Sequence, residues 1–265
     1  MKQQKENIVL KTENLSIGYQ SKKAQNIVAS KIDIAIEKGK LVAVLGKNGI
    51  GKSTLLRTIA KVQNPLHGDI FINQKNIEKY SNKDLSTVLS LVLTERLPES
   101  QMTVFELVAL GRQPYTNWID SLSETDLEKI NWAIEQTEIN HLKDKFFYEL
   151  SDGQLQRVLI ARALAQDTDI IILDEPTAHL DLHHTIKIFS LLKKLVSETS
   201  KTIMLSTHEV NLAIQFANEI VLFTDDKIFT GTPTELISKN AFDNLFSKEI
   251  VIFNRNLQQF IINKK

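Results

Sequence analysis

The residues best suited to chemistry form a glycine-rich segment that ends in a lysine and a serine. Residues 46–53 read GKNGIGKS and fit the pattern GxxxxGK[ST]. Glycines let the backbone approach phosphate oxygens, a following helix start directs N–H groups at them, and Lys52 adds a full positive charge. We therefore expect a phosphate-binding loop in which Ser53 supplies its hydroxyl to Mg²⁺, and the alternative is an ordinary glycine-rich turn. The residues expected to contact phosphate are Gly46, Lys47, Asn48, Gly49, Ile50, Gly51, Lys52, Ser53 and Thr54.

A second group of candidate residues consists of two adjacent acids, Asp174 and Glu175, which follow the apolar run 170–173. In an open α/β sheet, ligands gather at the carboxyl ends of the strands. Asp174 is therefore expected to hold Mg²⁺, commonly through water, beside Ser53. Glu175 should point the other way along the pleat and would orient or deprotonate an attacking water, a role of carboxylates in phosphoryl transfer. Without the glycine-rich segment, the same pattern would often be an ordinary strand exit.

The elements that must position these groups follow an α/β pattern. Short apolar runs typical of strands alternate with helical patterns, which predicts a largely parallel sheet. The runs 41–45 and 170–173 are continuously apolar, as expected of strands covered on both faces. Ile32, Ile34 and Ile36 alternate with polar neighbours, which predicts a half-exposed, antiparallel strand at the N-terminal border of the sheet.

A helical region interrupts this alternation in the middle of the chain. Thr103 and Glu106 have the spacing of a capping box, and Leu127, Ile130 and Ile134 form one apolar stripe. This predicts a helical subdomain over about residues 96–165 that is inserted in the core. Strands and helices alternate again afterwards, with predicted elements at 182–196, 202–206, 212–217 and 220–223, a capped helix start at 232–235, and a short C-terminal extension over about 240–265.

Length and composition limit the classes of function. A chain of 265 residues favours one large domain or a domain with a sub-lobe. The 32 basic residues balance 32 acidic residues, so no global basic field can hold nucleic acid, and we expect no nucleic-acid partner. The absence of cysteine excludes disulfides, thiolate metal sites and cysteine nucleophiles. No apolar run approaches the ~18 residues of a membrane-spanning helix, so service at a membrane would require docking on a partner.

The segment 150–154, LSDGQ, starts a predicted helix with Ser151 as its N-cap. With the glycine-rich segment and the acidic pair, it resembles the LSGGQ signature of the ATP-binding cassette (ABC) ATPase family, although alone it would indicate only a capped helix. The resemblance covers nearly the whole chain. It implies the α/β fold of a P-loop NTPase core, a single ABC ATPase domain over 1–265, and ATP and Mg²⁺ as cofactors.

The resemblance also implies roles for residues elsewhere in the chain. Ser151 and Gly153, with the helix start that includes Gln154, would contact the γ-phosphate of ATP held by a second copy of the chain. A homodimer would thereby sandwich two nucleotides, and Asp181 would cross the dimer. His208 would contact the γ-phosphate and sense its loss, so the implied catalytic set is Lys52, Glu175 and His208.

Three further positions complete or depart from the family pattern. Tyr19 matches the aromatic platform for adenine, with a plain strand aromatic as the alternative. Glu95 stands where the family usually has glutamine; a glutamate still reaches Mg²⁺ or its water but adds negative charge near ATP. Asp152 replaces a signature glycine, and because a partner's phosphates would repel it, we expect its side chain to point away from the nucleotide.

Residues 106–115, ELVALGRQPY, resemble a segment of the ATPases from iron-siderophore, haem and vitamin B12 importers. The resemblance implies an ATP-hydrolysing importer subunit at the cytoplasmic face of the inner membrane. Its partners would be integral-membrane permease subunits and, indirectly, a substrate-binding protein. The alternatives are an ABC ATPase that energises another transported substrate, or a non-transport ABC ATPase or regulator. Non-transport members acting on ribosomes or DNA resemble tandem cassettes or carry long coiled coils, and the sequence has neither a second phosphate loop nor a heptad run.

Overall fold

The fold consists of a central sheet, an antiparallel sheet beside it and helices on both sides of the central sheet. The computed structural model describes residues 7–21, 24–93, 100–116, 121–243, 245–246 and 249–263. The strands are β1 (Ile8–Gln20), β2 (Gln25–Ile32), β3 (Ala35–Glu37), β4 (Leu41–Leu45), β5 (His67–Ile72), β6 (Lys75–Asn76), β7 (Leu89–Val92), β8 (Ile170–Leu173), β9 (Thr202–Ser206), β10 (Glu219–Phe223), β11 (Ile228–Gly231), β12 (Val251–Asn254) and β13 (Gln259–Ile262). The α-helices are α1 (Lys52–Ile59), α2 (Asn82–Ser86), α3 (Val104–Ala109), α4 (Glu124–Gln136), α5 (Asp152–Ala165), α6 (Leu182–Thr199), α7 (Val210–Phe216) and α8 (Pro233–Ser238).

The central sheet has the strand order β11-β10-β4-β9-β8-β7. Every pairing in it is parallel except that of β10 with β11, which confirms the prediction of a mostly parallel sheet. Strands β4, β8 and β9 are buried along their whole length, as the continuous apolar sequences of β4 and β8 predict. Because these three strands are parallel neighbours, their carboxyl ends lie side by side and present their following loops together.

The antiparallel border is present, but the single strand predicted through Ile32, Ile34 and Ile36 is wrong. The chain forms two strands there, because β2 ends at Ile32 and β3 begins only at Ala35. The Thr12 hydroxyl donates to the Ile32 carbonyl at 2.7 Å and accepts from the Ile34 amide at 3.0 Å, replacing ladder hydrogen bonds across the break. The order of the border sheet is β2-β1-β5-β6, with β3 also paired to β1.

Two apolar clusters cover the two faces of the central sheet. Leu41, Ala43 and Leu45 belong to the cluster that contains the apolar faces of α3 to α6, whereas Val42 and Val44 belong to the cluster with α1 and the antiparallel sheet. Alternate residues of one strand thus enter opposite cores, as the pleat requires. Burial on both faces fixes β4 firmly, and β4 leads directly into the glycine-rich segment.

Helices α3, α4 and α5 lie between β7 and β8 in the sequence and pack on one another. The capping box predicted at Thr103 and Glu106 is confirmed, as is the N-cap at Ser151. Ile130 and Ile134 are buried in the cluster that contains α3 to α6. The prediction that Leu127 belongs to the same apolar stripe is wrong, because Leu127 is 39% exposed. Among the described helices, none combines the length and apolar character that crossing a bilayer requires.

A buried ion pair fastens α4 to the segment after α3. Arg112 Nε lies 2.8 Å from Asp126 Oδ1, each side chain is only 6% exposed, and Arg112 Nη1 donates to the Ala165 carbonyl at 2.8 Å. Burial alone would raise the pKa of Asp126, but hydrogen bonds from Ser123 and Arg112 outweigh it and hold that pKa below its usual value. The charged form of Asp126 is therefore favoured by the fold.

We predict that Asp126→Asn lowers the free energy of unfolding at neutral pH by about 3 kcal/mol, because it leaves a buried guanidinium without its counter-charge. Since folding lowers the pKa of Asp126, this advantage of the wild-type chain is complete above the unfolded pKa of about 3.9 and declines as pH falls through the folded pKa. Chemical denaturation at several pH values measures both effects. The control is Asp243→Asn, because Asp243 pairs with Arg255 and the two side chains are 32% and 53% exposed. This control should lower the free energy of unfolding by less than about 1 kcal/mol. Equal losses of stability in the two variants would contradict the prediction.

The C-terminal strands β12 and β13 form a separate antiparallel hairpin. Phe253 and Phe260 of this hairpin pack on Phe242, with ring centroids 5.2 and 6.3 Å from it. The Asn211 side chain accepts from the Phe260 amide at 2.7 Å and donates to its carbonyl at 3.2 Å. Aromatic packing and this two-way hydrogen bond attach the hairpin to α7, an arrangement that the local sequence did not predict.

Candidate active site

The glycine-rich segment connects the buried strand β4 to helix α1. Gly51 has a φ of 114°, and a Cβ there would lie 2.6 Å from Val28 Cγ1, so a side chain is excluded at this turn. Gly49 has a φ of 76°, and an added Cβ would meet no atom within 4 Å, so the space above it is open. The helix begins at Lys52. The loop therefore offers an open, concave backbone surface in front of a helix start, as a phosphate site requires.

Lys52 is the buried cation of this loop. Its side chain curls back, and Nζ donates to the carbonyl oxygens of Gly46 at 2.9 Å and Lys47 at 3.1 Å. Burial lowers the pKa of the Lys52 ammonium, and the nearby carboxylates of Glu175 and Asp174 partly oppose that effect. The ammonium is thus held inside the loop by carbonyl oxygens, groups that phosphate oxygens could replace.

Asp174 joins the phosphate loop to the ends of two neighbouring strands. Its Oδ1 accepts from Ser53 Oγ at 2.8 Å and from Ser206 Oγ at 2.7 Å. Ser206 was not predicted from the sequence, although its position at the carboxyl end of an apolar strand, two residues before His208, is a signal that could have found it. The structure places Ser53 and Asp174 together as the sequence predicts and adds a third oxygen.

Glu175 adopts a left-handed backbone conformation with a φ of 47°. The expectation that it continues the pleat of β8 is therefore wrong, because the strand ends at Leu173 and the chain turns at the two acids. Oε1 of Glu175 lies 2.6 Å from Nε2 of His208, which follows β9. Two of the three predicted catalytic residues, Glu175 and His208, thus meet through a direct hydrogen bond.

One cavity of about 360 Å³ is lined by half of the predicted site residues, whereas Gly46, Ile50 and Asp174 do not line it. Tyr19 is 57% exposed at its edge, and its hydroxyl lies 3.3 Å from Thr54 Oγ1. Lys47 points elsewhere, because its ammonium pairs with Asp225 at 2.5 Å. The lining residues are Tyr19, Val28, Asn48, Gly49, Gly51, Lys52, Ser53, Thr54, Glu175 and His208.

The predicted signature residues lie outside this lining. Ser151 and Gln154 form a capping box, in which Ser151 Oγ accepts from the Gln154 amide at 3.4 Å and Gln154 Oε1 from the Ser151 amide at 3.1 Å. Gly153 is buried against His184, whose ring would lie 2.9 Å from an added Cβ. Asp181 caps α6 and accepts from the amide and Nδ1 of His184 at 2.8 and 2.9 Å. Glu95 falls outside the described residues.

Comparison with known proteins identifies the family. The family described as ABC transporter matches residues 29–178. The achromobactin transport ATP-binding protein CbrD of Dickeya dadantii is 37% identical over 88% of this chain and 86% of its own length. The iron(3+)-hydroxamate import ATP-binding protein FhuC of Bacillus subtilis is 35% identical over 89% and 87%. A solved dimeric, post-hydrolysis structure of an ATP-binding cassette bound to ADP and Pi superposes with a TM-score of 0.72 at 28% identity, covering 84% of this chain and 98% of that one. The extent of these matches and the geometry of the phosphate loop lead to one conclusion: this chain belongs to the ABC transporter family.

Proposed function

We propose that the chain binds and hydrolyses ATP and thereby powers uptake of an iron chelate (siderophore), haem or cobalamin through a membrane permease. The observation that carries the proposal is the cavity lined by Lys52, Ser53 and Glu175 at the carboxyl edge of one sheet, with Asp174 bonded to Ser53. A buried cation, a hydroxyl bonded to a carboxylate, and a second carboxylate are the groups that phosphoryl transfer needs. Members of the ABC ATPase family hydrolyse ATP to power transport, which agrees with this chemistry.

The residues beside the phosphate loop fit Mg²⁺. This ion prefers oxygen ligands and binds through one or two carboxylates together with substrate phosphates. Ser53 Oγ and Asp174 Oδ1 are 2.8 Å apart, so both oxygens could bind the same ion next to the loop. We assign both residues to the metal, Asp174 commonly through water, with Glu95 as a further candidate. When bound, Mg²⁺ would neutralise charge on the phosphate oxygens.

Each side chain of the cavity then has a defined task. Lys52 exchanges its two carbonyl contacts for phosphate oxygens, and the ring of Tyr19 offers an exposed face to adenine. Glu175 takes a proton from the attacking water as the water oxygen bonds to the γ-phosphorus and the bond to the bridging oxygen breaks. We assign His208, which is bonded to Glu175, to the γ-phosphate.

The signature residues act on a second nucleotide. Ser151, Gly153, Gln154 and Asp181 do not line the cavity of their own chain, so we assign them to the ATP of a second copy in a homodimer. Each γ-phosphate would then tie two chains together, and its hydrolysis would release the tie. The dimeric cassette bound to ADP and Pi, to which this chain is similar, supports the arrangement.

The names of relatives and the segment 106–115 support our proposal for the transported substrate and the membrane partner. The names of two relatives mention transport of achromobactin and import of iron(3+)-hydroxamate. We propose that the whole chain is one ABC ATPase domain at the cytoplasmic face of the inner membrane, with about residues 96–165 as the helical subdomain that contacts the permease and 240–265 as an extension. Leu110 and Tyr115 are 43% and 41% exposed and are available for this contact, whereas Arg112 is buried. A substrate-binding protein would be an indirect partner.

We predict that Glu175→Gln lowers the rate of ATP turnover by at least about 100-fold, because it removes the proton acceptor. Equilibrium affinity for Mg·ATP should change by less than about threefold, since Lys52 and the loop remain. Steady-state phosphate release and nucleotide binding measure the two effects. The control Glu198→Gln alters an exposed glutamate that lies 4.0 Å from Lys194 and should leave turnover unchanged. Unchanged turnover in Glu175→Gln would remove Glu175 from the role of base.

The homodimer can be tested with a substitution that preserves the helix cap. In a Glu175→Gln background, which retains ATP, Ser151→Asp should abolish the ATP-dependent doubling of mass, because it directs a negative charge at the partner's γ-phosphate. Asp and Asn are both good N-caps, so Ser151→Asn is the uncharged control and should still dimerise. Light scattering after size-exclusion chromatography with Mg·ATP gives the mass. Equal dimerisation of the two variants would contradict the assignment of Ser151.

The substrate class is tested with the assembled transporter. We predict that the chain copurifies with an integral-membrane permease and that, in vesicles, a ferric siderophore, haem or cobalamin with its binding protein raises ATP turnover severalfold. Lys52→Ala should abolish both the basal and the stimulated rate. Stimulation by an unrelated solute, with none by the three chelates, would favour a different transport substrate.

A further inference from the structure

A buried serine, Ser206, lies beside the two acids of the site. Ser206 ends β9, its side chain is fully buried, and it pairs in register with Val44 of β4 on one side. On the other side Leu205 pairs with Leu173 of β8, so Ser206 lies beside the first residue after that strand, Asp174. A polar side chain at this depth requires hydrogen-bond partners.

The hydroxyl of Ser206 contacts both acids. It donates to Asp174 Oδ1 at 2.7 Å and accepts from the Glu175 amide at 2.8 Å. A serine hydroxyl has one proton to donate, so the direction of both bonds is fixed. One side chain therefore holds the carboxylate of the first acid and the backbone of the second.

The backbone that Ser206 holds is strained. Glu175 has a φ of 47°, and a non-glycine residue keeps such a conformation only when its surroundings enforce it. The bond from its amide to Ser206 is one such restraint, and the turn it stabilises presents the Glu175 carboxylate to His208 at 2.6 Å. Loss of the hydroxyl would release the turn that aims the base.

The contact with Asp174 has a separate consequence. Ser53 and Ser206 donate to the same Oδ1 of Asp174. Mg²⁺ would bind a lone pair of the Ser53 oxygen and shift that hydroxyl relative to Asp174, whereas Ser206, in the neighbouring strand β9, holds Asp174 without taking part in metal binding. Ser206 would thus keep Asp174 oriented in the state in which the metal needs it.

We propose that Ser206 is a positioning residue for ATP hydrolysis that fixes the turn at Glu175 and the carboxylate of Asp174 through its single hydroxyl. The inference rests on the proposed function. It predicts that turnover and Mg²⁺ requirement depend on the hydroxyl itself, and not on how well residue 206 packs. Positioning errors remote from the reacting atoms are known to cost up to about 100-fold in rate, so a clear effect is expected.

Ser206→Thr and Ser206→Val provide the test, because their side chains have nearly the same shape and differ in the hydroxyl. Relative to Ser206→Thr, Ser206→Val should show kcat lower by about tenfold or more and a severalfold higher Mg²⁺ concentration for half-maximal turnover. KM for ATP should differ by less than about threefold, since Lys52 and the loop are unchanged. If neither threonine nor valine fits at position 206, Ser206→Ala provides the test, because alanine needs no additional space. Its kcat and Mg²⁺ requirement should then change relative to the wild type as stated for Ser206→Val.

Ser90→Val is the matched control. Ser90 is a buried serine of β7 that accepts from Thr168 Oγ1 at 3.1 Å and pairs in register with Ile171, three residues before Asp174. Its substitution should leave kcat and the Mg²⁺ requirement unchanged, with thermal unfolding monitored for every variant. Wild-type kcat and wild-type Mg²⁺ dependence in both Ser206→Val and Ser206→Ala would overturn the inference while the proposed function stands. A wild-type chain without ATP turnover, even with its permease, would overturn the proposed function and the inference with it.

Discussion

The hydrogen bond between Ser53 and Asp174 joins residues 121 positions apart, and the rest of the site is arranged around it. One partner belongs to the first turn of α1, and the other follows β8. Their meeting requires β4, β9 and β8 to be parallel neighbours, because only then do the phosphate loop, the acids and His208 emerge at the same edge. The burial of these strands in two cores therefore determines where the chemistry can take place.

Internal hydrogen bonds occupy the groups that we assign to nucleotide binding. Lys52 bonds to two carbonyl oxygens of its own loop, Ser53 bonds to Asp174, and His208 bonds to Glu175. Each of these bonds satisfies a polar group that would otherwise be costly in a partly buried cavity. Nucleotide binding is then an exchange of partners within a preformed site, which limits the conformational entropy that binding must overcome.

Local sequence signals predicted the elements whose causes are local. The capping boxes at Thr103 and Thr232 and the buried strands rest on neighbouring residues, and the structure confirms them. The features that sequence reasoning missed depend on contacts between distant segments. Ser206 acquires its partners only through strand register, and the turn at Glu175 interrupts a pleat that its own residues would allow to continue. Likewise, the segment 106–115 was recognised by resemblance, but nothing local showed that Arg112 is buried against Asp126.

Charge explains why metal and nucleotide should enter this site together. The chain has no net charge, so attraction for a polyphosphate must come from the cavity itself. There, one buried ammonium, Lys52, faces two carboxylates, Asp174 and Glu175, and its pKa is lowered by the same burial that excludes water. Two acids beside a single base would repel a polyphosphate, and the repulsion is strong in a partly desolvated cavity. The divalent cation proposed at Ser53 and Asp174 would reverse this balance, because it would add two positive charges beside the acids.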